Sequence, residues 1–351
     1  MIQDRKKGKV LLGMSGGVDS SVAAVLLKQA GFEVIGATMR LYQNKEEGEK
    51  TIQDAKKVCE KLKIPHYTLD CTKEFHTHVV ENFIGCYACA KTPNPCVECN
   101  KYLKFGAFYE KAKELGCEYI ATGHYAKIEY EETYKTYVMK KSQAKEKDQT
   151  YFLYGIQKEI LPHILFPLEE LEDKEQVRKI AEEYNLSVAH KKDSQEICFI
   201  PDNDYVSFLK KEGQKEEQGN IVLKNGTILG RHKGLIYYTV GQRKGLGIAY
   251  EKPLYVISLN AETNEVIVGE EADLYRSNLL ATNVNFLLPI SSDEINVTAK
   301  IRYRAKEAQA TIKRQGENWL VTFQEPQRAI TPGQSVVFYI GDMVLGGGII
   351  K

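Results

Sequence analysis

Short apolar runs alternate with helix-like spacing of apolar residues over positions 1–200 of the chain. Val10–Leu12 has the length and content of a buried strand, and the residues after it show the spacing of one helix face up to Gly31. The same pattern predicts strands at 10–12, 33–38, 66–70 and 118–122, and helices at 20–30, 51–62 and 104–115. Strands that alternate with helices pair in parallel, because each crossover returns the chain across the sheet. We therefore predict a doubly wound α/β domain.

The pattern changes after about residue 201. Glycine and β-branched residues become more frequent, and stretches such as Val297–Ile301 and Trp319–Phe323 alternate apolar and polar side chains. Such alternation predicts antiparallel strands, which a small β-barrel or sandwich would close. We expect a catalytic α/β domain at 1–202, a small central domain at 203–272 and a C-terminal β-barrel domain at 273–351. The charged, aperiodic stretch 140–150 is expected to be a surface loop.

The composition is that of an ordinary soluble globular protein, with 43% apolar and 27% charged residues. The formal net charge is only +1, so a nucleic-acid partner must be held by local basic patches and not by the field of the whole protein. The basic N-terminus precedes no apolar segment long enough for a secretory signal, and no apolar run approaches the length that spans a bilayer. We therefore expect a cytoplasmic protein with no membrane partner.

Cysteine is concentrated in the first domain, and the chain has eight of them. In a reducing compartment such residues are free thiols, metal ligands or redox catalysts, and they do not form a structural disulfide framework. The cysteines are Cys59, Cys71, Cys86, Cys89, Cys96, Cys99, Cys117 and Cys198. None follows Cys198, which indicates that the cysteines serve one module.

A glycine-rich loop, LGMSGGVDSS at 12–21, joins the first predicted strand to the first helix. Two adjacent glycines let the backbone approach an anion closely, and the helix that follows presents unpaired N–H groups at its positive end. In a doubly wound sheet this is the place where nucleotides bind. The loop lacks the Gly-Lys-Ser/Thr ending of a Walker A motif and the glycine spacing of the dinucleotide fingerprint.

The string SGGVDS at 15–20 resembles the SGGxDS signature of the ATP-pyrophosphatase family, whose members cleave ATP between the α and β phosphates. The resemblance implies an adenine nucleotide alpha-hydrolase-like fold that uses ATP and Mg²⁺, with Asp19 helping to hold the metal. Met39 resembles the family's adenine contact, and Gly123 resembles the close approach of a second nucleotide loop. The implied nucleotide-binding residues are Gly13, Met14, Ser15, Gly16, Gly17, Val18, Asp19, Ser20, Met39 and Gly123.

Two further segments, TPNPCVECNK at 92–101 and KDSQEICFI at 192–200, narrow the family. Together with the glycine loop they resemble tRNA-specific 2-thiouridylase. The resemblance extends over nearly the whole chain and includes the stretches 230–247 and 301–304. It implies a tRNA sulfurtransferase that converts the wobble uridine to 2-thiouridine, with tRNA as substrate and a sulfur donor such as a cysteine desulfurase or a relay protein as partner.

The chemistry of such a reaction explains why the chain needs both ATP and cysteine. The oxygen on C2 of uracil is a poor leaving group, and adenylation lets it depart with AMP. A cysteine persulfide supplies sulfur to C2, and a second cysteine breaks the S–S bond, which leaves a disulfide between the two cysteines. By resemblance, Cys198 bears the persulfide and Cys99 is the partner nucleophile. Both must act as thiolates, which requires a polar or electropositive site.

Cys96 departs from the family pattern, because many members have Asp in this position, where it is thought to assist as an acid or base. The chain instead has two CxxC pairs, at 86–89 and 96–99. Three alternatives follow. Cys96, Cys99 and Cys198 hold a [4Fe–4S] cluster; the four cysteines of the two pairs hold zinc; or no metal binds and the persulfide route operates.

Basic residues cluster in two places that suit tRNA phosphates, Lys224–Lys244 and Lys300–Arg304, and the second includes an aromatic ring that could stack. By the same resemblance, the flipped-out base lies beside Asn94, Pro95 and Cys96. Flipping a base out of an anticodon loop costs little free energy, because the base is not paired there. The positions that match tRNA contacts in relatives are His124, Asp148, Gln149, Thr150, Arg302, Tyr303 and Gln334.

Two other functions share parts of this pattern. Another ATP-pyrophosphatase, an amide-forming synthetase, would have the glycine loop and would not need Cys99 or Cys198. A non-catalytic RNA-binding or sulfur-carrier protein that senses ATP would not release AMP and pyrophosphate in response to tRNA. The sequence leaves open which tRNAs are modified, which donor loads the persulfide and which oligomeric state the protein adopts.

Overall fold

The structure, a computed structural model, describes residues 2, 5–41, 45–191, 197–200 and 204–351, with the backbone alone at 45–47. The predicted domain boundary at 202/203 and residues 192–196 of the second cysteine motif lie outside the described residues. None of the helices described is both long and apolar enough to cross a membrane.

Seventeen strands and eight α-helices are described. The strands are β1 Lys9–Gly13, β2 Glu33–Arg40, β3 His66–Asp70, β4 Tyr119–Ala121, β5 Lys127–Glu131, β6 Thr136–Lys140, β7 Ile164–Leu165, β8 Gly219–Leu223, β9 Ile228–His232, β10 Tyr255–Asn260, β11 Glu265–Gly269, β12 Tyr275–Phe286, β13 Glu294–Lys300, β14 Ala308–Gln315, β15 Asn318–Arg328, β16 Ser335–Ile340 and β17 Met343–Ile350. The helices are α1 Val18–Gln29, α2 Lys45–Leu62, α3 Thr72–Phe75, α4 Glu81–Ala88, α5 Pro95–Glu98, α6 Phe108–Glu114, α7 Lys174–Glu183 and α8 Tyr205–Lys211. A π-helical segment His76–Val80 joins α3 to α4, and another, Cys99–Ala107, joins α5 to α6.

The first domain is built on a parallel sheet in the order β3-β2-β1-β4-β7, which confirms the predicted α/β architecture. The middle strand β1 is buried on both faces. Its Val10 and Leu12 pack into one hydrophobic cluster and Leu11 into another, so successive side chains stabilise opposite faces of the sheet. The carboxyl end of β1 leads into the glycine loop, and the carboxyl end of β2 lies beside it.

The prediction that 140–150 is a surface loop is wrong, because several side chains of this stretch are buried. Thr150 and Ala144 are buried, and the carboxylate of Asp148 accepts hydrogen bonds from the Ser142 amide (3.1 Å) and the Thr150 hydroxyl (2.6 Å). The small side chains turn inward around this carboxylate, while Gln143, Lys145 and Glu146 of the same stretch are exposed. Composition alone does not separate these two sets.

The middle of the chain forms a separate four-stranded sheet in the order β10-β11-β8-β9. Its two central strands are parallel and the outer pairings are antiparallel. Val256, Val266 and Ile221 are completely buried and form a small core of their own. Helix α8 precedes this sheet and packs toward the first domain, so the central domain contacts the cysteine-rich region of the chain.

The C-terminal part is a closed six-stranded barrel in the order β12-β15-β14-β13-β16-β17, completed by pairing of β12 with β17. This confirms the predicted barrel, and closure removes the exposed strand edges. The interior contains Trp319, Val321 and Phe338. The hairpin β5–β6 of the first domain extends the barrel sheet through β17, an attachment that the sequence did not predict.

Candidate active site

The glycine loop is held in a tight conformation by its own serines. Ser20 Oγ accepts from the Ser15 amide and donates to the Gly17 carbonyl, each at 3.2 Å, and Ser21 Oγ donates to the same carbonyl at 2.8 Å. Gly16 has φ +63°, and a Cβ there would lie 2.7 Å from the Thr51 carbonyl oxygen. The N-cap residue of α1, Gly17, provides no side-chain cap to the amides at the start of the helix. The loop therefore presents backbone N–H groups and a helix N-terminus suited to an anion.

Asp19, at the start of α1, is fixed by two partners that the sequence did not indicate. Its carboxylate pairs with the Lys174 ammonium at 2.7 Å and accepts a hydrogen bond from the Tyr125 hydroxyl at 2.8 Å. Lys191 donates to the Gly16 carbonyl at 2.9 Å and to the Asp54 carboxylate at 2.8 Å. Two lysines thus lie against the loop, where a polyphosphate would need positive charge.

Gly123 follows β4 and lies close to the glycine loop. A Cβ at this position would lie 2.8 Å from the Ser20 amide nitrogen and 2.9 Å from the carbonyl carbon of Asp19. Met39, in β2, is partly buried and packs against two hydrophobic clusters, one of which contains the cysteine region. Both residues therefore lie in the part of the domain where the nucleotide is expected.

The CxxC pair at 96–99 opens a continuous helix that runs from Pro95 to Glu114 through α5, the π-helical segment and α6. Pro95 occupies the first turn, where its missing N–H costs nothing, and Asn94 precedes it. The Cys99 amide donates to the Cys96 carbonyl, so the two cysteines lie one turn apart. Cys96 is exposed and Cys99 is buried. The wider π-helical turns, a feature often found at functional sites, begin at Cys99.

Cys198 lies beside this helix, although it is distant in sequence. Cys198 is an exposed residue, yet its sulfur lies close to other protein groups. The pKa of its thiol is raised to about 12, chiefly by desolvation and also by the neighbouring thiols of Cys99 and Cys96, while the Lys104 ammonium opposes the shift. Burial also raises the pKa of Cys99, again against Lys104 and together with Cys96. Three sulfurs and one ammonium therefore share one electrostatic neighbourhood. Lys104 follows the motif at 92–101, and no role was predicted for it from the sequence.

Metal binding by these cysteines does not fit the arrangement. Among the described residues, which include all eight cysteines, no three Cys, His, Asp or Glu side chains form a group that could hold a metal ion. This applies both to the cluster expected at Cys96, Cys99 and Cys198 and to the zinc site expected from the two CxxC pairs. We therefore derive no chemical step through iron–sulfur or zinc.

The cysteine region lies where the domains meet. Cys99 and Phe199 of the first domain share one hydrophobic cluster with Phe208 and Ile236 of the central domain. From the barrel, Gln334 donates its amide to the carbonyls of Thr92 and Pro93, each at 3.0 Å, just before the helix of Cys96.

The other residues matched to tRNA contacts fall into two groups. His124 is bonded to Thr122 at 2.7 Å, and burial with the nearby Lys104 ammonium holds its pKa well below the usual value, so the ring is neutral near pH 7. Gln149 exchanges hydrogen bonds with the Tyr125 backbone. Its neighbours Asp148 and Thr150 are buried beneath the surface of the protein. These two side chains would therefore affect tRNA binding only indirectly, by holding the surrounding backbone in place.

Arg302 and Tyr303 lie together at the junction of the barrel and the first domain. Arg302 donates to the carbonyls of Arg328 and Ala329, and the Tyr303 ring lies 4.5 Å from the Phe152 ring. In the central basic stretch, Lys224 is paired with Asp273 at 2.7 Å and so is partly neutralised. The junction, with its half-buried arginine and aromatic ring, is the better defined of the two basic regions.

Three known protein families match this chain, and together they cover nearly all of its residues. Residues 8–202 match a family described as "tRNA methyl transferase HUP domain", residues 206–270 match "tRNA methyl transferase PRC-barrel domain", and residues 276–350 match "Aminomethyltransferase beta-barrel domain". These matched ranges correspond to the three sheets of the structure.

Curated relatives match over their full length. A tRNA-specific 2-thiouridylase of Clostridioides difficile strain 630 is 50% identical, and one of Caldanaerobacter subterraneus subsp. tengcongensis is 52% identical, each over 98% of this chain and 98% of its own. Among solved structures, the U34-tRNA thiolase NcsA from Methanococcus maripaludis with its [4Fe-4S] cluster is 21% identical over 59% of this chain and 66% of its own, with a TM-score of 0.35. That structural likeness is too remote to bear on the site.

Proposed function

The chain belongs to the family of tRNA-specific 2-thiouridylases, and from this premise we propose that it uses ATP and a cysteine persulfide to replace the C2 oxygen of the wobble uridine in tRNA with sulfur. Full-length similarity at about half identity supports the sulfurtransferase activity and leaves no support for an amide-forming synthetase. The observation that best supports the cysteine route is the proximity of Cys198 to Cys99, which are distant in sequence.

The glycine loop is proposed to bind the phosphates of ATP. The N–H groups at the start of α1 and its helix dipole favour the negative charge of the leaving pyrophosphate. Lys174 and Lys191 lie against the loop, where each is paired with a carboxylate. When ATP binds, both ammonium groups are close enough to turn toward its phosphate oxygens. Asp19 offers the hard oxygen donors that Mg²⁺ prefers, and the metal when bound would neutralise phosphate charge.

The base is proposed to enter beside Asn94 and Pro95, where the helix of the cysteines begins. Adenylation of the C2 oxygen turns a poor leaving group into AMP. The terminal sulfur of a persulfide on Cys198 then forms a bond to C2 as the C2–O bond breaks and AMP departs. The thiolate of Cys99 attacks Sγ of Cys198, the original S–S bond breaks, and the electron pair stays on the sulfur now bound to C2.

That sequence leaves a 2-thiouridine and a Cys99–Cys198 disulfide. A thiol reductant must return both cysteines to the reduced form, and a sulfur donor must load Cys198 again. The helix turn that separates exposed Cys96 from buried Cys99 keeps the proposed nucleophile inside the site, away from solvent oxidants.

A direct test is mass spectrometry of tRNA nucleosides after incubation of the protein with tRNA, ATP, Mg²⁺, a cysteine desulfurase with cysteine as the persulfide donor, and a thiol reductant. We expect 2-thiouridine to accumulate with wild-type protein and with Cys89→Ser, because Cys89 is an exposed cysteine outside the cluster. Cys198→Ser should lower the rate at least about a hundredfold, since it removes a covalent intermediate. Normal accumulation with Cys198→Ser would rule out the proposed role of this cysteine.

A further inference from the structure

The turn between β15 and β16 packs directly on the segment that leads into the cysteine helix. Gln334 donates its side-chain amide to two successive carbonyls, those of Thr92 and Pro93, each at 3.0 Å. In the opposite direction, the Thr92 amide donates to the Pro332 carbonyl at 2.9 Å. Three hydrogen bonds thus join the barrel to the two residues that immediately precede Asn94.

Gly333 makes this contact possible. Its φ is +89°, and a Cβ there would lie 2.9 Å from Cβ of Lys91 and 2.9 Å from the Thr92 carbonyl oxygen. Two backbones therefore meet with no space for a side chain. Neither the barrel turn nor the Thr92–Pro93 backbone can move apart without breaking these hydrogen bonds, so the contact restricts the position of both segments.

The same part of the barrel supports the helix on the other side of Cys99. The Ser335 carbonyl accepts from the Tyr151 hydroxyl at 2.9 Å, and Ser335 Oγ bonds to the Tyr154 hydroxyl at 3.1 Å. Between these tyrosines, the Phe152 carbonyl accepts from the Asn100 side-chain amide at 3.0 Å. Tyr151, Tyr154 and Asn100 are all buried, so these bonds are shielded from water.

The support also connects with the surface expected to meet tRNA, because the Tyr303 ring lies 4.5 Å from the Phe152 ring. A substrate that contacts Tyr303 therefore also acts on the Phe152 segment. The Phe152 carbonyl accepts the hydrogen bond from Asn100, the residue next to Cys99.

We propose that the barrel turn Thr331–Ser335 is a positioning element for the cysteine helix and that Gln334 is its positioning residue, acting through the carbonyls of Thr92 and Pro93. The inference rests on the proposed function and deepens it: the barrel sets the place of Cys96 and Cys99 relative to the base. Gln334, a position matched to tRNA contacts in relatives, then also affects the rate of sulfur transfer through the helix, by its hydrogen bonds to Thr92 and Pro93.

Two pairs of variants test this. Gly333→Ala inserts a methyl group against Lys91 and Thr92, and Gln334→Glu replaces the amide donor by oxygen. Their controls are Gly316→Ala, at a glycine of φ +64° with nothing within 4 Å of the added Cβ, and Gln315→Glu, at an exposed position of the same barrel. Each control makes the same chemical change at the β14–β15 turn, away from the cysteine helix.

Two quantities are measured for each variant. In tRNA-free protein, the alkylation rate of Cys99 is followed by peptide mass spectrometry, with Cys59 in the first-domain core as an internal measure of global opening. With saturating tRNA, the single-turnover rate of thiolation is measured.

We expect Gly333→Ala and Gln334→Glu to raise Cys99 alkylation at least about fivefold while Cys59 is unchanged, and to lower the single-turnover rate roughly ten- to a hundredfold, as misplacement of a reacting group does. The controls should match wild type in both. The inference is wrong if the wild type thiolates tRNA and the two turn variants change only the tRNA concentration that gives the half-maximal rate. Absence of thiolation in the wild type would instead contradict the proposed function. If Gln334→Glu does not fold, Gln334→Met, which keeps the length and lacks the donor, replaces it with the same expectations.

Discussion

At the level of single residues, burial opposes the chemistry proposed for the cysteines. The thiolate is the nucleophile, yet burial raises the pKa of both Cys99 and Cys198. Lys104 is the ammonium that acts in the opposite direction at both sulfurs. Both thiols are therefore largely protonated near neutral pH, and Lys104 is the positive charge that favours their thiolate forms.

The pH dependence of Cys198 follows from the direction of this shift. A thiol whose pKa is raised to about 12 is almost wholly protonated at neutral pH, and its thiolate fraction increases about tenfold per pH unit up to that value. We expect the logarithm of the Cys198 alkylation rate to rise with a slope near one from about pH 7 to pH 10. A free cysteine, with a pKa of about 8.5, levels off in this range. Levelling of the Cys198 rate below about pH 9 would contradict the burial described here.

At the level of elements, the close contact between the β4 end and the start of α1 shapes the proposed nucleotide site. The contact depends on Gly123, because the neighbours of an added Cβ are backbone atoms of Asp19 and Ser20, which cannot rotate away. Overpacking of this kind typically costs about 1–3 kcal/mol.

We expect Gly123→Ala to weaken ATP binding about tenfold or more by displacing the N–H groups of the loop. Titration calorimetry with ATP measures this. Gly85→Ala is the matched control, since Gly85 lies in α4 with nothing within 4 Å and alanine favours a helix. Equal ATP affinity of the Gly123 variant and wild type would show that the loop does not bind the phosphates.

Which elements the sequence could predict depends on the range of the contacts involved. The glycine loop and its flanking strand and helix are local, so their residues indicate them directly. The strand His66–Asp70 was predicted with its observed bounds for the same reason. The pairing of Lys174 with Asp19 and the hydrogen bonds of Gln334 to Thr92 and Pro93 join residues distant in sequence, and no local pattern marks them. The inward turn of Asp148 was missed because an acid in a charged stretch is usually solvated.

At the level of the whole molecule, the domains share their hydrophobic interiors. Leu11 and Phe108 of the α/β domain occupy one cluster with Val337 and Tyr339 of the barrel. The cluster around Cys99 extends into the central domain. The cysteine region is therefore built by all three parts of the chain, and residues as distant as Cys99, Cys198 and Gln334 contribute to one proposed site.

In the proposed reaction, sulfur passes from Cys198 to C2 of the base and leaves a disulfide with Cys99. A single turnover of protein loaded with isotopically labelled persulfide tests this step, with labelled nucleoside and the Cys99–Cys198 peptide pair quantified together by mass spectrometry. We expect one labelled 2-thiouridine for each disulfide formed, with equal rates. If labelled nucleoside appears while Cys99 and Cys198 both remain thiols, sulfur does not reach the base by this route.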